Sequence, residues 1–65
     1  MKIYDRNRNA LTVGQRVMVA ATGEVDYLEA AKTDNMSAFA AEHEKCVQLA
    51  NTQERYAPIE LIKLG

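Results

Sequence analysis

Val13-Gly-Gln-Arg-Val-Met-Val-Ala-Ala-Thr-Gly-Glu-Val25 reads as a strand entered through one glycine and turned at a second. Within Arg16 to Ala21 the branched Val17 and Val19 fall on one side of a pleated ribbon, with Met18 and Ala20 on the other. Thr22-Gly23 supplies the turn, because glycine takes positive φ without steric penalty. Beyond it, Val25 and Tyr27 resume the alternation, so the stretch predicts a β-hairpin whose apolar face includes Val17, Val19, Val25 and Tyr27.

Around that hairpin there is little chain to spare. Sixty-five residues make one small domain, which buries only about 60% of the surface its unfolded chain exposes. A core of that size predicts support from a second copy or a partner. Cys46 is the single cysteine, so no internal disulfide can form, and a lone thiol suits a reducing compartment. No apolar run approaches the roughly 20 residues a membrane helix needs. The polar run Asp5 to Asn9 sits where a signal peptide would be apolar, so a cytoplasmic location is expected. The net charge of -1 is unevenly spread: residues 1–16 carry +3, residues 17–44 carry -5 and residues 45–65 carry +1. A basic arm and an acidic middle are the chain's most partner-like feature.

Before the hairpin, Lys2-Ile3-Tyr4 reads as a short strand with Ile3 its buried member, and Asp5 to Asn9 as a loop whose Asp and Asn side chains bond their own backbone. Leu11 and Val13 share a face on the way in. After the hairpin, Met36, Ala40, His43, Val47 and Ala50 recur at helical spacing, while Lys45 to Ala50 also alternates as a strand would. The pattern is read as a short helix near residues 36–44 followed by a strand near 45–50, with a single helix from 35 to about 51 as the alternative. Arg55-Tyr-Ala57 predicts another strand, stopped by Pro58. A phase break between Ile59/Leu61 and Ile62/Leu64 implies one 3₁₀ turn before a last strand.

Val13-Gly-Gln-Arg-Val17, Thr22-Gly-Glu-Val25 and Tyr56-Ala-Pro-Ile-Glu-Leu-Ile-Lys-Leu64 together resemble the small Src-homology-3-like barrels of the KOW and Tudor type. The resemblance covers roughly residues 11–29 and 45–64 and implies a five-stranded barrel closed by a proline-led 3₁₀ turn. It implies nucleic-acid binding as one function to weigh, although one fold hosts many functions. Gly14-Gln-Arg-Val17 is also similar to the opening of the plasmid-borne dihydrofolate reductases, which build one active pore from four subunits. Their valine-glutamine-isoleucine-tyrosine segment has no counterpart here, because Val47-Gln-Leu-Ala50 lacks the tyrosine.

Other motifs reduce to plainer readings. Asp5-x-Asn7-x-Asn9 mimics the start of a calcium loop, yet Ala10 stands where that loop needs glycine and Arg16 where it needs a bidentate Glu. His43-x-x-Cys46 offers two zinc-type ligands where a structural site needs four, so a structural cysteine beside a solvent-facing histidine is expected. Arg6, Arg8 and Arg16 near Tyr4 could follow a phosphate backbone, but an isoelectric point near 5.7 favours a solvated loop. Glu24 and Asp26 read as the wet side of a half-buried strand.

The sequence therefore predicts a mainly β protein, a small five-stranded antiparallel Src-homology-3-like barrel with one short helix inserted near residues 36–44, forming a single domain over residues 1–65. The expected core is Val13, Val17, Val19, Val25, Tyr27, Val47, Leu49, Ile59, Leu61 and Leu64, with Met36 and Phe39 capping one end or forming a self-association surface. The expected function is a non-enzymatic interaction module that binds another protein, a second copy included, through barrel-edge and loop surfaces. The alternatives are a nucleic-acid-binding domain and a tetrameric reductase-like enzyme. The candidate surface comprises Tyr4, Arg6, Arg8, Arg16, Glu24, Asp26, Tyr27, Met36, Phe39 and Tyr56. No residue is assigned to catalysis, cofactor or metal, no cofactor is expected, and no membrane association is expected.

Overall fold

The hairpin forms, and its turn sets the phase of everything beyond it. In the computed structural model, which describes residues 2–65, strand β3 (Arg16–Val19) pairs with β4 (Val25–Ala31), and Val19 closes the turn by accepting from the Gly23 amide at 2.7 Å. Gly23 sits at φ +79°, where a side chain would be strained. The register sets Met18 opposite Val25 and Val17 opposite Asp26. Directly opposed residues share a face of the sheet, so with Val17 inside, Asp26 and Leu28 also turn inward. Val25 and Tyr27 turn outward, at 49% and 50% exposure. This corrects the expected core, which placed both inside, and the expectation that Asp26 is solvent-facing.

Around the hairpin runs a mainly β chain: β1 (Ile3–Tyr4) and β2 (Ala10–Leu11) make a small antiparallel pair. Helix α1 (Ala38–His43) precedes β5 (Val47–Leu49) and β6 (Arg55–Tyr56), and a 3₁₀ turn at Pro58–Glu60 leads into β7 (Leu61–Lys63). The main sheet has five antiparallel strands in the order β6-β5-β4-β3-β7. Among the described residues no ladder joins β6 to β7, so closure into a barrel is not part of the observed pairing. No helix among them is long and apolar enough to cross a membrane.

The helix-then-strand division of the middle segment is observed, two residues shorter at the helix start than expected. Ser37 caps α1, its Oγ accepting from the Ala40 amide at 3.1 Å. Six residues cannot hold a helix by themselves, and what anchors this one is Ala41, buried against the core. Val47 and Leu49 then pair with β4 instead of extending the helix.

The core joins Ile3, Leu11, Val17, Val19, Leu28, Ala41, Cys46, Val47, Leu49 and Leu61. Val13, expected there, is 72% exposed, because the turn through Val13-Gly14 breaks the parity it shares with Leu11. Ile59 and Leu64 are only half-buried. Met36 packs against the core from its edge, whereas Phe39 lies in solvent and stacks on His43 at 4.1 Å between ring centroids.

Candidate functional site

Cross-strand register assembles an apolar row on the solvent side of the sheet. Ile62 on β7 stands beside Met18 on β3, and Met18 beside Val25 on β4. In the next row Arg16 stands opposite Tyr27, and the Leu64 amide donates to the Arg16 carbonyl at 2.9 Å. Met18, Ile62 and Leu64 are half-buried, while Val25 and Tyr27 are open to water. Arg16 is exposed among them and makes no ion pair among the described residues. Glu29, next on the exposed side of β4, accepts from Gln48 Nε2 at 2.9 Å. The result is an apolar strip with Arg16, unpaired among the described residues, at its middle and a carboxylate at its end.

Two buried aspartates hold that sheet in place. Asp26, 7% exposed, accepts from the Asn51 side-chain amide at 2.9 Å, the Asn51 backbone amide at 3.1 Å and the Tyr27 amide at 2.7 Å. It ties β4 to the turn after β5. Asp5 is fully buried, with Oδ1 accepting from the amides of Asn7 and Asn9 and Oδ2 from the Lys63 amide at 2.7 Å and from Asn9 Nδ2. Burial opposes its ionisation, but the donors from Lys63, Asn9 and Asn7 outweigh that and hold the carboxyl below its usual value. With N–H groups facing both oxygens, Asp5 organises its loop as an anchor, and its geometry is the reverse of a cation site.

The other expected surface residues are dispersed. Tyr4 lines a cleft of about 160 Å³ between β1 and α1 with Arg8, whose guanidinium meets Glu42 at 3.3 Å across its rim. Arg6 is exposed, and its amide donates to Leu61 on β7. The basic arm is thus divided among α1, the β7 side and the sheet face. Glu24 is exposed in the turn. Tyr56 points inward opposite Val47 and packs against the core, its hydroxyl donating to Glu54 at 3.2 Å. Burial and that carboxylate both raise its pKa. Tyr27 and Tyr56 therefore occupy opposite faces, and the three tyrosines do not gather.

His43 and Cys46 also part company, because the helix ends at His43. The imidazole Nδ1–H donates to the Phe39 carbonyl at 2.9 Å, while the buried Cys46 thiol donates to the Ala41 carbonyl at 3.4 Å. Burial pushes that thiol's pKa up, which keeps it protonated at neutral pH. No cluster of three or more His, Cys, Asp or Glu side chains among the described residues is arranged to hold a metal ion. The clamp from Asp26 to Asn51 went unread in the sequence because nothing local links residues 25 positions apart. The Asp5 anchor had a local signal, the alternating Asp and Asn side chains, but its bond to Lys63 had none.

Three curated relatives match this chain, from Escherichia coli K12, Escherichia coli O6:H1 and Shigella flexneri, each named "Putative selenoprotein YdfZ". Each is 42% identical over 65 residues, covering 100% of this chain and 97% of the relative. No solved structure matches. The family model that matches, over residues 2–65, is described as YdfZ protein and is not of the KOW or Tudor type. The chain belongs to the YdfZ family.

Proposed function

We propose that this YdfZ-family chain is a non-enzymatic binding module whose working surface is the solvent side of its sheet. The occupant is a partner protein that offers an apolar patch with a carboxylate placed to meet Arg16. The observation that carries this reading is the exposed pair Val25 and Tyr27, in register with Met18, Ile62, Leu64 and an Arg16 that has no ion-pair partner among the described residues. Contiguous apolar exposure on a small protein marks a contact site, and tyrosine and arginine are the residues enriched there. The finer fold reading belongs with it: the strand order β6-β5-β4-β3-β7, with a 3₁₀ turn leading into β7, supports a Src-homology-3-like path.

The test starts with affinity capture from the native host using the wild type, Tyr27→Glu, Arg16→Glu and, as a control at another exposed apolar site, Phe39→Ser. The captured protein is then purified and titrated directly. Affinity is expected to fall about 10-fold or more, which is roughly 1.4 kcal/mol, in both face variants and to hold in Phe39→Ser. Equal binding by Tyr27→Glu, or no bound protein, rejects the reading. Light scattering that shows a dimer dissolved by Tyr27→Glu replaces the foreign partner with a second copy.

The relatives' printed names favour a second reading, that the chain carries selenium. Cys46 is its one thiol, and it lies beneath α1, so loading requires that helix to lift. Elemental analysis of protein from selenite-grown cells tests this: selenium present in the wild type and lost in Cys46→Ser supports it, and equal content in both rejects it.

A further inference from the structure

The open edge of the sheet at β7 is covered by a segment that is not a strand. Just outside the two ends of β7, Glu60 and Leu64 turn their backbone groups toward β3, accepting from Ala20 and donating to Arg16. The Leu61 carbonyl and the Lys63 amide therefore face the outside, while the Leu61 amide closes the 3₁₀ turn on the Pro58 carbonyl. There the Arg6 amide donates to the Leu61 carbonyl at 3.0 Å, and Asp5 Oδ2 accepts from the Lys63 amide at 2.7 Å. One side chain and one amide of the N-terminal loop thus satisfy one donor, the Lys63 amide, and one acceptor, the Leu61 carbonyl, that a neighbouring strand would use.

We propose that the N-terminal loop is a guard over a self-complementary edge, and that releasing Asp5 lets β7 pair antiparallel with β7 of a second copy. The geometry of the edge selects that occupant. About a two-fold axis through Ile62, the Lys63 amide of one copy lies opposite the Leu61 carbonyl of the other, and the reverse holds, so the two groups that the guard covers are each other's partners. Lys63 faces Leu61 in this pairing, which sets no like charges opposite each other. Unpaired edges of this kind are association sites that proteins cover or charge. The guard is the loop between β1 and β2, and neither of its two contacts with β7 belongs to the β3–β4 ladder, so releasing the loop leaves that ladder and the core residues Ile3 and Leu11 in place.

Asp5→Asn is the selective probe. Its remaining carbonyl oxygen can still accept from Asn7 and Asn9, but an NH₂ group now faces the Lys63 amide, donor against donor. Light scattering across a concentration series, with circular dichroism to confirm a native spectrum, is expected to show a dimer population at least 10-fold larger than in the wild type. Lys63→Pro in the Asp5→Asn background removes the outward amide and leaves the β3 ladder intact. It is expected to return the protein to its wild-type state of association. Tyr27→Glu in that background, which alters the other face, is expected to leave the new dimer in place. A folded Asp5→Asn with unchanged mass overturns the proposal, as does a dimer that survives Lys63→Pro. If Asp5→Asn does not fold, hydrogen exchange on the wild type decides: a Lys63 amide that exchanges by local opening, ahead of the β3–β4 amides, supports the guard, and one that exchanges only with global unfolding overturns it.

Discussion

Replacing Asp26 by alanine should cost this protein about 2–3 kcal/mol. The carboxylate takes both the side-chain and the backbone amide of Asn51. Hydrogen bonds to a charged group contribute roughly 1.5–3 kcal/mol each when their partners are stranded. Asn51 is exposed, so water recovers part of that loss, and about 1–1.5 kcal/mol for each of the two bonds is the fitting magnitude. A 65-residue domain has about 3–10 kcal/mol in all, so the variant lies close to unfolding. Urea denaturation followed by circular dichroism measures it: with a slope of about 1 kcal/mol/M for so small a chain, the midpoint should fall by about 2–3 M. A double-mutant cycle with Asn51→Ala should return a coupling of at least about 1 kcal/mol. Were Asp26 on the solvent side, as simple alternation of Val25 and Tyr27 suggests, alanine would change stability by no more than about 0.5 kcal/mol. A loss that small, or strict additivity with Asn51→Ala, would refute the inward register.

Other outcomes follow from single residues. Arg8 holds φ +66°, a conformation costing an L-residue roughly 1–2 kcal/mol, and its exposed ion pair with Glu42 is worth at most about 1 kcal/mol. Arg8→Gly should therefore be neutral to about 1 kcal/mol stabilising, and a melt showing a clear loss of stability contradicts the loop geometry. Asp5 ionises more readily folded than unfolded, so its contribution is present above the ordinary carboxyl pKa of 3.8 and drains away as pH falls through the lower folded value. Acid titration of stability should show a drop there that Asp5→Asn lacks, and parallel curves for the two proteins would remove the anchor from the account. Cys46 should react with iodoacetamide at neutral pH only as fast as α1 opens, its thiol being buried and raised in pKa. Labelling at the rate of a free thiol would contradict that burial.

How much of this was legible depends on how local the signal is. The β3 strand, the Gly23 turn, the proline-led 3₁₀ turn and the separation of α1 from β5 each rest on neighbours in the chain, and each was readable. The phase of β4 was not. Both of its faces carry apolar residues, Val25 and Tyr27 on one and Leu28 on the other, and the charge of Asp26 argues for exposure until Asn51 is known to meet it. Val13 misleads for a similar reason, since alternation is counted through a turn that breaks it. The candidate surface was half legible: Arg16 and Tyr27 do face each other across strands. Met18 joins them through the same hairpin, whereas Ile62 and Leu64 complete the patch only through the pairing of β3 with β7, a contact that spans more than forty residues of sequence.

Both the exposed face and the Asp26 clamp depend on the register of β4 against β3, and nuclear Overhauser contacts between α-protons read that register directly. Val19 donates to Glu24 and Leu28 to Gln15, so the pairs between them, Met18 with Val25 and Arg16 with Tyr27, are the close ones without mutual hydrogen bonds. Strong α-proton contacts are expected within both pairs, and across β7 between Val17 and Lys63. Contacts of Val17 with Val25 or Tyr27 instead would put Tyr27 inside and contradict both the binding face and the Asp26 clamp.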